Sequence, residues 1–295
     1  MTATQNDWLA ARFEEHRRHL RSVAYRMLGS LSEADDAVQE TWVRLSGVDA
    51  DEVENLGGWL TTVVARVALN MLRSLRTRRE EPFDVRLPEP IVDRADGTDP
   101  EHEALLGDAV GLAMLIVLDT LNPAERLAFV LHDIFAVPFD EIAPIVERSP
   151  DAARQLASRA RRRIQGEPAI PDADLSTQRE VLGAFLAASR EGNFEALLEV
   201  LDPDVTLRAD PGAVSIGSRR VVRGAETVAR QAFAFSRLDL EVRPVLVNGA
   251  VGTITLRDGQ PFSIAAFTIR NGRVAEMNVY ADPELLNRFD LALLG

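Results

Sequence analysis

The sequence predicts a multidomain protein in which two all-α parts precede a C-terminal α+β domain. Its 295 residues are long for a single domain. Apolar residues recur at helical spacing as far as residue 166, with one interruption that is rich in Pro, Gly and Asp. From residue 175 short strand-like runs follow one another, separated by Asn-Gly and Asp-Gly pairs that favour tight hairpins.

These changes of pattern divide the chain into five segments. Residues 8–80 form the first helical part, and residues 81–100 are expected to be a linker. Residues 101–166 form the second helical part, which a second linker at 167–174 separates from the α+β domain at 175–295.

The first helical part contains three predicted helices. The first, at about 8–28, ends at Gly29, a residue suited to the end of a helix. The second, at about 32–45, carries an acidic face. The third, at about 59–79, has an apolar first half and a surface that is almost purely arginine beyond Asn70.

The second helical part ends in a predicted helix-turn-helix. Helices are expected at about 101–121, 122–135, 139–146 and 149–164. Ser149 is a good cap for the last helix, and Pro150 fits its first turn. One face of this helix is apolar and the other carries Arg, Gln and Ser, as in a helix presented to a DNA major groove.

The third part changes to the period of strands. Helices are expected at 175–190, 194–200 and 224–236, and strands at 205–209, 214–216, 240–247, 251–256, 262–270 and 274–280. A meander of four strands at the end, preceded by helices, predicts an α+β domain whose curved antiparallel sheet folds around a helix.

Composition excludes several classes of function. The chain has no cysteine, which rules out disulfides, thiol catalysis and Cys-ligated zinc and suits a reducing cytoplasm. The four histidines show no metal-ligand spacing, so neither a metal nor a cofactor is expected. No apolar run is long enough for a transmembrane helix, and the start of the chain does not look like a signal peptide, so we expect a cytoplasmic protein without a membrane partner.

The charge distribution is consistent with a site-specific reader of DNA. The net charge of −13 argues against a protein that coats nucleic acid. The 33 basic residues are all arginine, however, and two clusters of them lie at the end of the third helix and along the last helix of the second part.

The two helical parts contain several distinctive strings. The first part has YRMLG at 25–29, ADDAVQETW at 34–42 and WLTTVV at 59–64. The second has NPAERLAFVLHD at 122–133, PFDEIA at 138–143 and the helix at 149–163. In these strings the two parts resemble regions 2 and 4 of extracytoplasmic-function RNA polymerase sigma factors, group IV of the sigma-70 family. The string LPEP at 87–90 and the third part resemble the SigJ-like subgroup, which carries a C-terminal SnoaL-like (NTF2-like) domain. The resemblance implies a cone-shaped α+β fold for this domain.

The chain departs from the motifs of the subgroup at three places and from the usual turn of a helix-turn-helix at a fourth. Arg86 stands where the subgroup usually has Trp, and the RADPG string at 208–212 replaces a glycine-rich loop that contains lysine. The ADPEL string at 281–285 only echoes a third motif, and Glu147 occupies a turn position where glycine is frequent. If these motifs hold the extra domain against the sigma parts, its regulatory coupling differs here.

The resemblance implies that the chain binds core RNA polymerase and reads two promoter elements. The second helix would dock on the β′ clamp through Asp35, Asp36, Val38, Gln39, Glu40 and Trp42, and region 4 would contact the β flap. The −10 element would be held by Asn70, Arg73, Arg76 and Arg79. The −35 element would be read by Arg154, Gln155, Ser158, Arg159 and Arg162.

Simpler interpretations stand beside these roles. The acids of the second helix are also typical of a solvated helix face, and the arginines after Asn70 also suit a helix C-terminus.

On the last helix of region 4, Arg reads guanine and Gln reads adenine through paired hydrogen bonds, whereas other arginines bind phosphate. Residues 154, 155 and 158 are favoured for base contacts, and residues 161–163 for phosphate.

Two rival functions remain open from the residues alone. A polymerase-independent helix-turn-helix regulator would use only the second part. A bifunctional protein would carry an enzyme in its SnoaL-like domain, with Asp210, Asp239 or Glu276 as a base, but that domain has no histidine and no spacing singles out one acid. We therefore expect a sigma factor that is not an enzyme, with the SnoaL-like domain acting in cis. A small-molecule ligand of that domain is a further candidate partner.

Overall fold

A computed structural model describes residues 3–47, 55–78, 87–97, 99, 102, 111–165, 174–210, 212–213 and 221–289. The chain divides into two compact units. The first, the helical unit, comprises residues 1–84 and 114–168, and the second, the sheet unit, comprises residues 85–113 and 169–295. Within the described ranges, no helix is long and apolar enough to cross a membrane.

The helical unit begins with a three-helix bundle. It consists of α1 (Ala3–Leu28), α2 (Leu31–Leu45) and α3 (Leu56–Arg78). Gly29 ends α1 with a φ of 73°, a conformation that costs glycine little. The cap of α2 is Ser30, whose side chain accepts a hydrogen bond from the backbone N–H of Glu33. The three predicted helices are thus present, with bounds shifted by a few residues.

Short helices complete the unit. They are α4 (Leu112–Thr120), α5 (Pro123–Phe129) with a π-helical turn (Val130–Ile134), α6 (Phe139–Val146) and α7 (Pro150–Gln165). Asn122 caps α5 by accepting from the N–H of Glu125 at 2.9 Å. The pair α6–α7 forms the predicted helix-turn-helix. Glu147 lies in its turn with φ 57° and ψ 48°, the left-handed conformation that favours glycine.

The two sequence-predicted helical parts pack against each other through one buried and one half-buried arginine. Arg126 of α5 is 1% exposed, and its Nε donates to the backbone oxygen of Arg26 at 3.0 Å. Arg76, near the end of α3, donates to the backbone oxygens of Asp119 (3.2 Å) and Leu121, just where α4 ends. These contacts satisfy carbonyl groups that a helix end leaves without partners, and they join regions 2 and 4 in one unit.

The sheet unit contains a seven-stranded sheet in the order β1-β4-β5-β6-β7-β2-β3. The strands are β1 (Val92–Arg94), β2 (Leu201–Ala209), β3 (Val221–Arg223), β4 (Glu241–Val247), β5 (Ala250–Arg257), β6 (Gln260–Arg270) and β7 (Arg273–Tyr280). Neighbouring strands are antiparallel except β2 and β7, which are parallel. The predicted four-stranded meander is confirmed as β4 to β7, and the parallel pair makes the sheet mixed.

Three tight hairpins connect the meander. Their turn pairs have positive φ at both residues, 51° and 76°, 52° and 75°, and 51° and 70°, which is the type I′ conformation. The pairs are Asn248-Gly249, Asp258-Gly259 and Asn271-Gly272. These turns are the ones that the sequence predicts.

Helices α8 (Leu175–Glu191), α9 (Phe194–Val200) and α10 (Ala225–Ser236) pack on the sheet, and α11 (Pro283–Leu286) follows β7. Phe185 of α8 meets Phe267 of β6 at a ring-centroid distance of 5.5 Å in the core of the unit. The predicted α+β domain is therefore present. Strand β3 was not predicted, and the strand predicted at 214–216 lies outside the described residues.

The structure differs from the sequence prediction in the first linker. Residues predicted to form no regular structure contribute β1, which pairs with β4 at the edge of the sheet. The backbone N–H of Ile91 donates to Oδ1 of Asn248 at 3.1 Å, and the N–H of Asn248 donates to the oxygen of Ile91 at 2.8 Å. Arg179 of α8 donates to the oxygen of Ala95 at 2.8 Å. We call residues 91–95 the strap.

Candidate nucleic-acid interface

One face of α7 is free to meet a ligand. Arg154, Gln155 and Arg162 are exposed and Ser158 is half-buried, all on the side opposite to the buried alanines and Leu156. Their spacing of three or four residues places them in one stripe along the helix. Four of the five predicted −35 residues therefore share a face.

Arg154 contacts two side chains of the helical unit. One of its terminal nitrogens donates to Asp151 at 2.6 Å, and its guanidinium lies 5.3 Å from the centroid of the Phe139 ring of α6. A guanidinium that stacks on an aromatic face keeps its planar fork oriented. This orientation suits the bidentate recognition of a guanine edge.

Arg159, the fifth predicted −35 residue, has a different environment. Together with Arg163, one turn later, it donates to the carboxylate of Glu125, at 2.9 and 3.0 Å. The Glu125 side chain is only 4% exposed, and a buried carboxylate needs such partners. Arg161 likewise pairs with Asp133 at 2.6 Å. These three arginines tie α7 to α5 and to the π-helical turn.

The turn before α7 adds a cation that the sequence analysis did not single out. Arg148 is exposed beside Glu147, and its side chain donates to the backbone oxygen of Glu147 at 3.0 Å. Ser149 caps α7 as predicted by accepting from the N–H of Ala152 at 3.3 Å. The only sequence signal for Arg148 is its place between a predicted turn and a predicted cap.

A second basic stripe runs along α3. Arg66, Asn70, Arg73 and Thr77 are exposed and follow one another at helical spacing. In the ranges that the structure describes, Arg66 and Arg73 have no acidic partner within ion-pair distance. Two predicted −10 residues, Asn70 and Arg73, thus lie on one surface. Arg76 is instead committed to the carbonyl groups at the end of α4, and Arg79 lies outside the described residues.

The acidic face of α2 is exposed in part. Asp36, Gln39 and Glu40 are exposed, and Asp35 forms a two-pronged ion pair with Arg21 at 2.7 and 3.2 Å. Val38 is 1% exposed and belongs to the core of the bundle rather than to its surface. Trp42 is half-buried, with its ring 5.1 Å from that of Phe13.

Val43, which the sequence does not single out, is 56% exposed on α2 one turn beyond Gln39. Its side chain adds an apolar group to the exposed surface that carries Gln39 and Glu40. Helical spacing alone does not separate Val43 from its buried neighbours, because the apolar residues of α2 cover a broad arc.

The two divergent motifs of the sheet unit meet at one carboxylate. Asp210 is buried and accepts hydrogen bonds from the backbone N–H groups of Ala213 (2.7 Å), Ala281 (3.0 and 3.1 Å) and Asp282 (3.0 Å). A Cβ on Gly212 would lie 2.4 Å from the Ala281 backbone, so only glycine fits there. Asp210 therefore joins the 208–212 and 281–285 segments.

The other two acids considered as catalytic bases are also placed by the structure. Glu276 pairs with Arg208 at 2.9 Å, and Asp239 is exposed to solvent after α10. No group of three or more His, Asp or Glu side chains among the described residues is arranged to hold a metal ion.

Comparison with known proteins identifies the family of the chain. The family models for Sigma-70 region 2 and Sigma-70 region 4 match residues 12–78 and 113–164. The ECF RNA polymerase sigma factor SigJ of Mycobacterium tuberculosis is 39% identical over 92% of this chain and 91% of its own. The probable ECF RNA polymerase sigma factor SigI of the same species is 34% identical over 99% of both chains. The crystal structure of SigJ superposes with a TM-score of 0.73 over 94% of this chain and 98% of its own, at 36% identity.

Proposed function

The chain belongs to the extracytoplasmic-function family of RNA polymerase sigma factors and directs promoter-specific transcription initiation, and on this premise we propose which surfaces carry each step. The observation behind the proposal is the pair of exposed basic stripes on α3 and α7, in a chain whose net charge is −13. Positive charge confined to two stripes favours two defined DNA contacts over general binding.

The α7 stripe reads the −35 element. Arg154 and Gln155 contact base edges, since N-terminal positions of a recognition helix lie deepest in the major groove. Arg162 and Arg148 bind phosphate and fix the register. Arg159 does not contact the DNA bases but holds α7 in place, because its guanidinium is paired with Glu125.

The α3 stripe holds the −10 element. Arg66 and Arg73 supply positive charge along the backbone of melted DNA, and the Asn70 amide offers hydrogen bonds to exposed base edges.

The acidic face of α2, with Asp36, Glu40 and the exposed Val43, docks on the β′ clamp. Charge complementarity between this face and the clamp would set the encounter rate and the register of the complex. Region 4 contacts the β flap.

The packing of the helical unit implies a rearrangement on the polymerase. The −10 and −35 elements are roughly 25 base pairs apart, about 85 Å at a rise of 3.4 Å per base pair. A compact unit of about 140 residues has a diameter of roughly 30–40 Å. Regions 2 and 4 must therefore separate to contact both elements, and the Arg126 and Arg76 contacts must open.

The strap provides a physical route for regulation in cis. The segment that connects regions 2 and 4 contains β1, which the sheet unit holds through β4 and Arg179. A connector held at the sheet edge has less free length with which the two regions can move apart. We infer that the sheet unit limits promoter opening until the strap is released.

We also propose that the sheet unit binds rather than catalyses. Of the three candidate bases, Asp210 is occupied by backbone N–H groups, Glu276 by Arg208, and Asp239 faces solvent. An enzyme would instead need a base within reach of a substrate in a cavity.

The central test is transcription by core polymerase from a selected promoter library. The purified chain should select promoters with defined −10 and −35 elements, and Arg154→Ala or Gln155→Ala should change only the −35 preference. Each substitution should reduce the free-energy difference between the preferred base and the other bases at the contacted position by about 1–3 kcal/mol. A Glu141→Ala variant, altered at an exposed position of α6, serves as the control. Duplex binding without any core-dependent open complex would support the helix-turn-helix regulator instead.

A further inference from the structure

The sheet unit encloses a cavity of about 380 Å³. It lies between the sheet and helices α8 and α10. This volume is within the range of cavities that bind small organic molecules. All of its lining residues belong to the sheet unit, so the cavity is a property of that unit alone.

Most of the wall is apolar. The largest contributors come from both helices and from the sheet, and include Phe185, Phe235, Leu240, Phe267 and Met277. Leu238 and Val242 also line the cavity and are 44% and 38% exposed, which places apolar surface at its mouth. Exposed apolar side chains next to an apolar cavity indicate a site for an apolar molecule.

Three hydroxyl groups form a polar spot on the strand side. Thr253 and Thr255 of β5 face the cavity with Ser263 of β6, and Thr255 lies directly opposite Ser263 in the strand register. All three residues are 2–3% exposed. Within the described part of the chain, their hydroxyl groups line the cavity and are therefore available to a guest. By contrast, Ser189 donates to the oxygen of Ala232 at 3.4 Å on the opposite wall.

Clustered hydroxyls on a cavity wall can bind a polar group of a guest. Hydrogen bonds to that group would replace those that the hydroxyls make with water, whereas a guest without such a group would leave them without partners. Since a hydroxyl both donates and accepts, the spot suits a neutral hydroxyl or carbonyl group.

Charge narrows the class of guest further. Among the lining residues, Arg190 at the exposed end of α8 is the one charged side chain, and no Asp, Glu or His is present. An anion or cation placed at the hydroxyl spot would lose its hydration without gaining a counter-ion. The wall also offers no proton acceptor for catalysis.

We propose that this cavity is a binding site for a neutral, largely apolar small molecule that carries a hydroxyl or carbonyl group held by Thr253, Thr255 and Ser263. The helix α8 connects the site to the strap, because it contributes Phe185 to the cavity and Arg179 to the oxygen of Ala95. An effect of the guest on transcription rests on the proposed regulation in cis. The binding of the guest does not depend on that proposal.

The experiment uses the full chain and three probes of similar shape: naphthol, naphthalene and naphthoate. Calorimetry or ligand fluorescence should show naphthol bound at least fivefold more tightly than naphthalene, with naphthoate weakest. Thr255→Val and Ser263→Ala should weaken naphthol binding about five- to tenfold and leave naphthalene binding unchanged. Ala232→Phe, which fills the cavity, should abolish binding of both. Thr227→Val, altered at an exposed position of α10, is the matched control.

Three results would overturn the binding site. Naphthoate binding as tightly as naphthol would show an anion site at Arg190, and equal losses for naphthol and naphthalene would show that the hydroxyls do not recognise the guest. Probe binding that survives Ala232→Phe would lie outside the cavity. If naphthol binds as expected but leaves promoter output unchanged, the binding site stands and the regulation in cis fails.

Discussion

The arginines of α7 differ in function because of what each side chain contacts. Arg159 and Arg163 share the buried carboxylate of Glu125, and Arg154 lies between Asp151 and Phe139. Arg162 is exposed without an acid in ion-pair distance in the described ranges. In the sequence these residues look alike, since each is an arginine on a polar helix face. The difference between their roles depends on Glu125, which lies 34 residues before Arg159 and reaches α7 only in the folded chain.

Glu125→Ala tests this division at the level of one side chain. It should lower the free energy of unfolding of the helical unit by about 1–2 kcal/mol, a value kept modest because the two arginines are half-exposed and return to water. Urea unfolding followed by tryptophan fluorescence reports on this unit alone, since Trp8, Trp42 and Trp59 all belong to it. Arg162→Ala, the matched control, should stay within about 0.5 kcal/mol of the parent while weakening DNA binding. Equal destabilisation by both variants would contradict the assignment.

The backbone conformation of Glu147 in the turn of the helix-turn-helix lowers the stability of this element. Glu147 has a φ of 57°, a conformation that costs a non-glycine residue about 1–2 kcal/mol. Glu147→Gly should therefore stabilise the helical unit by about 1 kcal/mol in the same urea assay. Because Glu147 precedes the reading face, −35 preference should not change. A destabilised Gly variant would mean that the Glu147 side chain makes a contribution larger than the strain.

Among the elements, predictability follows the range of the interactions. The three hairpins of the meander are specified by local Asn-Gly and Asp-Gly pairs, and the structure has them at those positions. Strand β1 has only three residues, and its pairing depends on Asn248, which lies 157 residues beyond Ile91. No local pattern marks such a strand, so residues 81–100 look like a linker. The same holds for Asp210, since two of its backbone partners, Ala281 and Asp282, lie some 70 residues later.

Asn248→Gly tests the strap as an element. Glycine keeps the left-handed turn conformation but removes the Oδ1 that accepts from the N–H of Ile91. Amide hydrogen exchange of the strap should quicken about tenfold or more, and core-dependent transcription should rise if the strap restrains regions 2 and 4. Asn271→Gly, at an equivalent turn position away from the strap, should change neither. Faster exchange with unchanged transcription would remove the strap from the regulatory scheme.

At the scale of the whole molecule, the sequence predicts the parts but not their assembly. Regions 2 and 4 are predicted as separate helical domains, and each is present. They join because Arg126 reaches the carbonyl of Arg26, 100 residues earlier, and Arg76 reaches the end of α4. Burial lowers the pKa of Arg26 to about 10, so it stays charged at neutral pH, 5.1 Å from the Phe135 ring. Such contacts combine cations with carbonyl groups and aromatic faces, for which the sequence offers no pairing rule.

Separation of regions 2 and 4 on the polymerase is a prediction about the whole molecule. Because the chain has no cysteine, Arg18→Cys on α1 and Glu141→Cys on α6 place fluorophores at two defined exposed sites. Both belong to one compact unit, so energy transfer in the free protein should report a distance below about 40 Å. With core polymerase and promoter DNA the transfer should nearly disappear, since the two promoter elements are about 85 Å apart. Arg76→Ala should lower the transfer in the free chain, because it removes the contacts that join α3 to α4. Transfer that stays high in a transcribing complex would show that the two regions act as one closed body, and the requirement for separation would then be wrong.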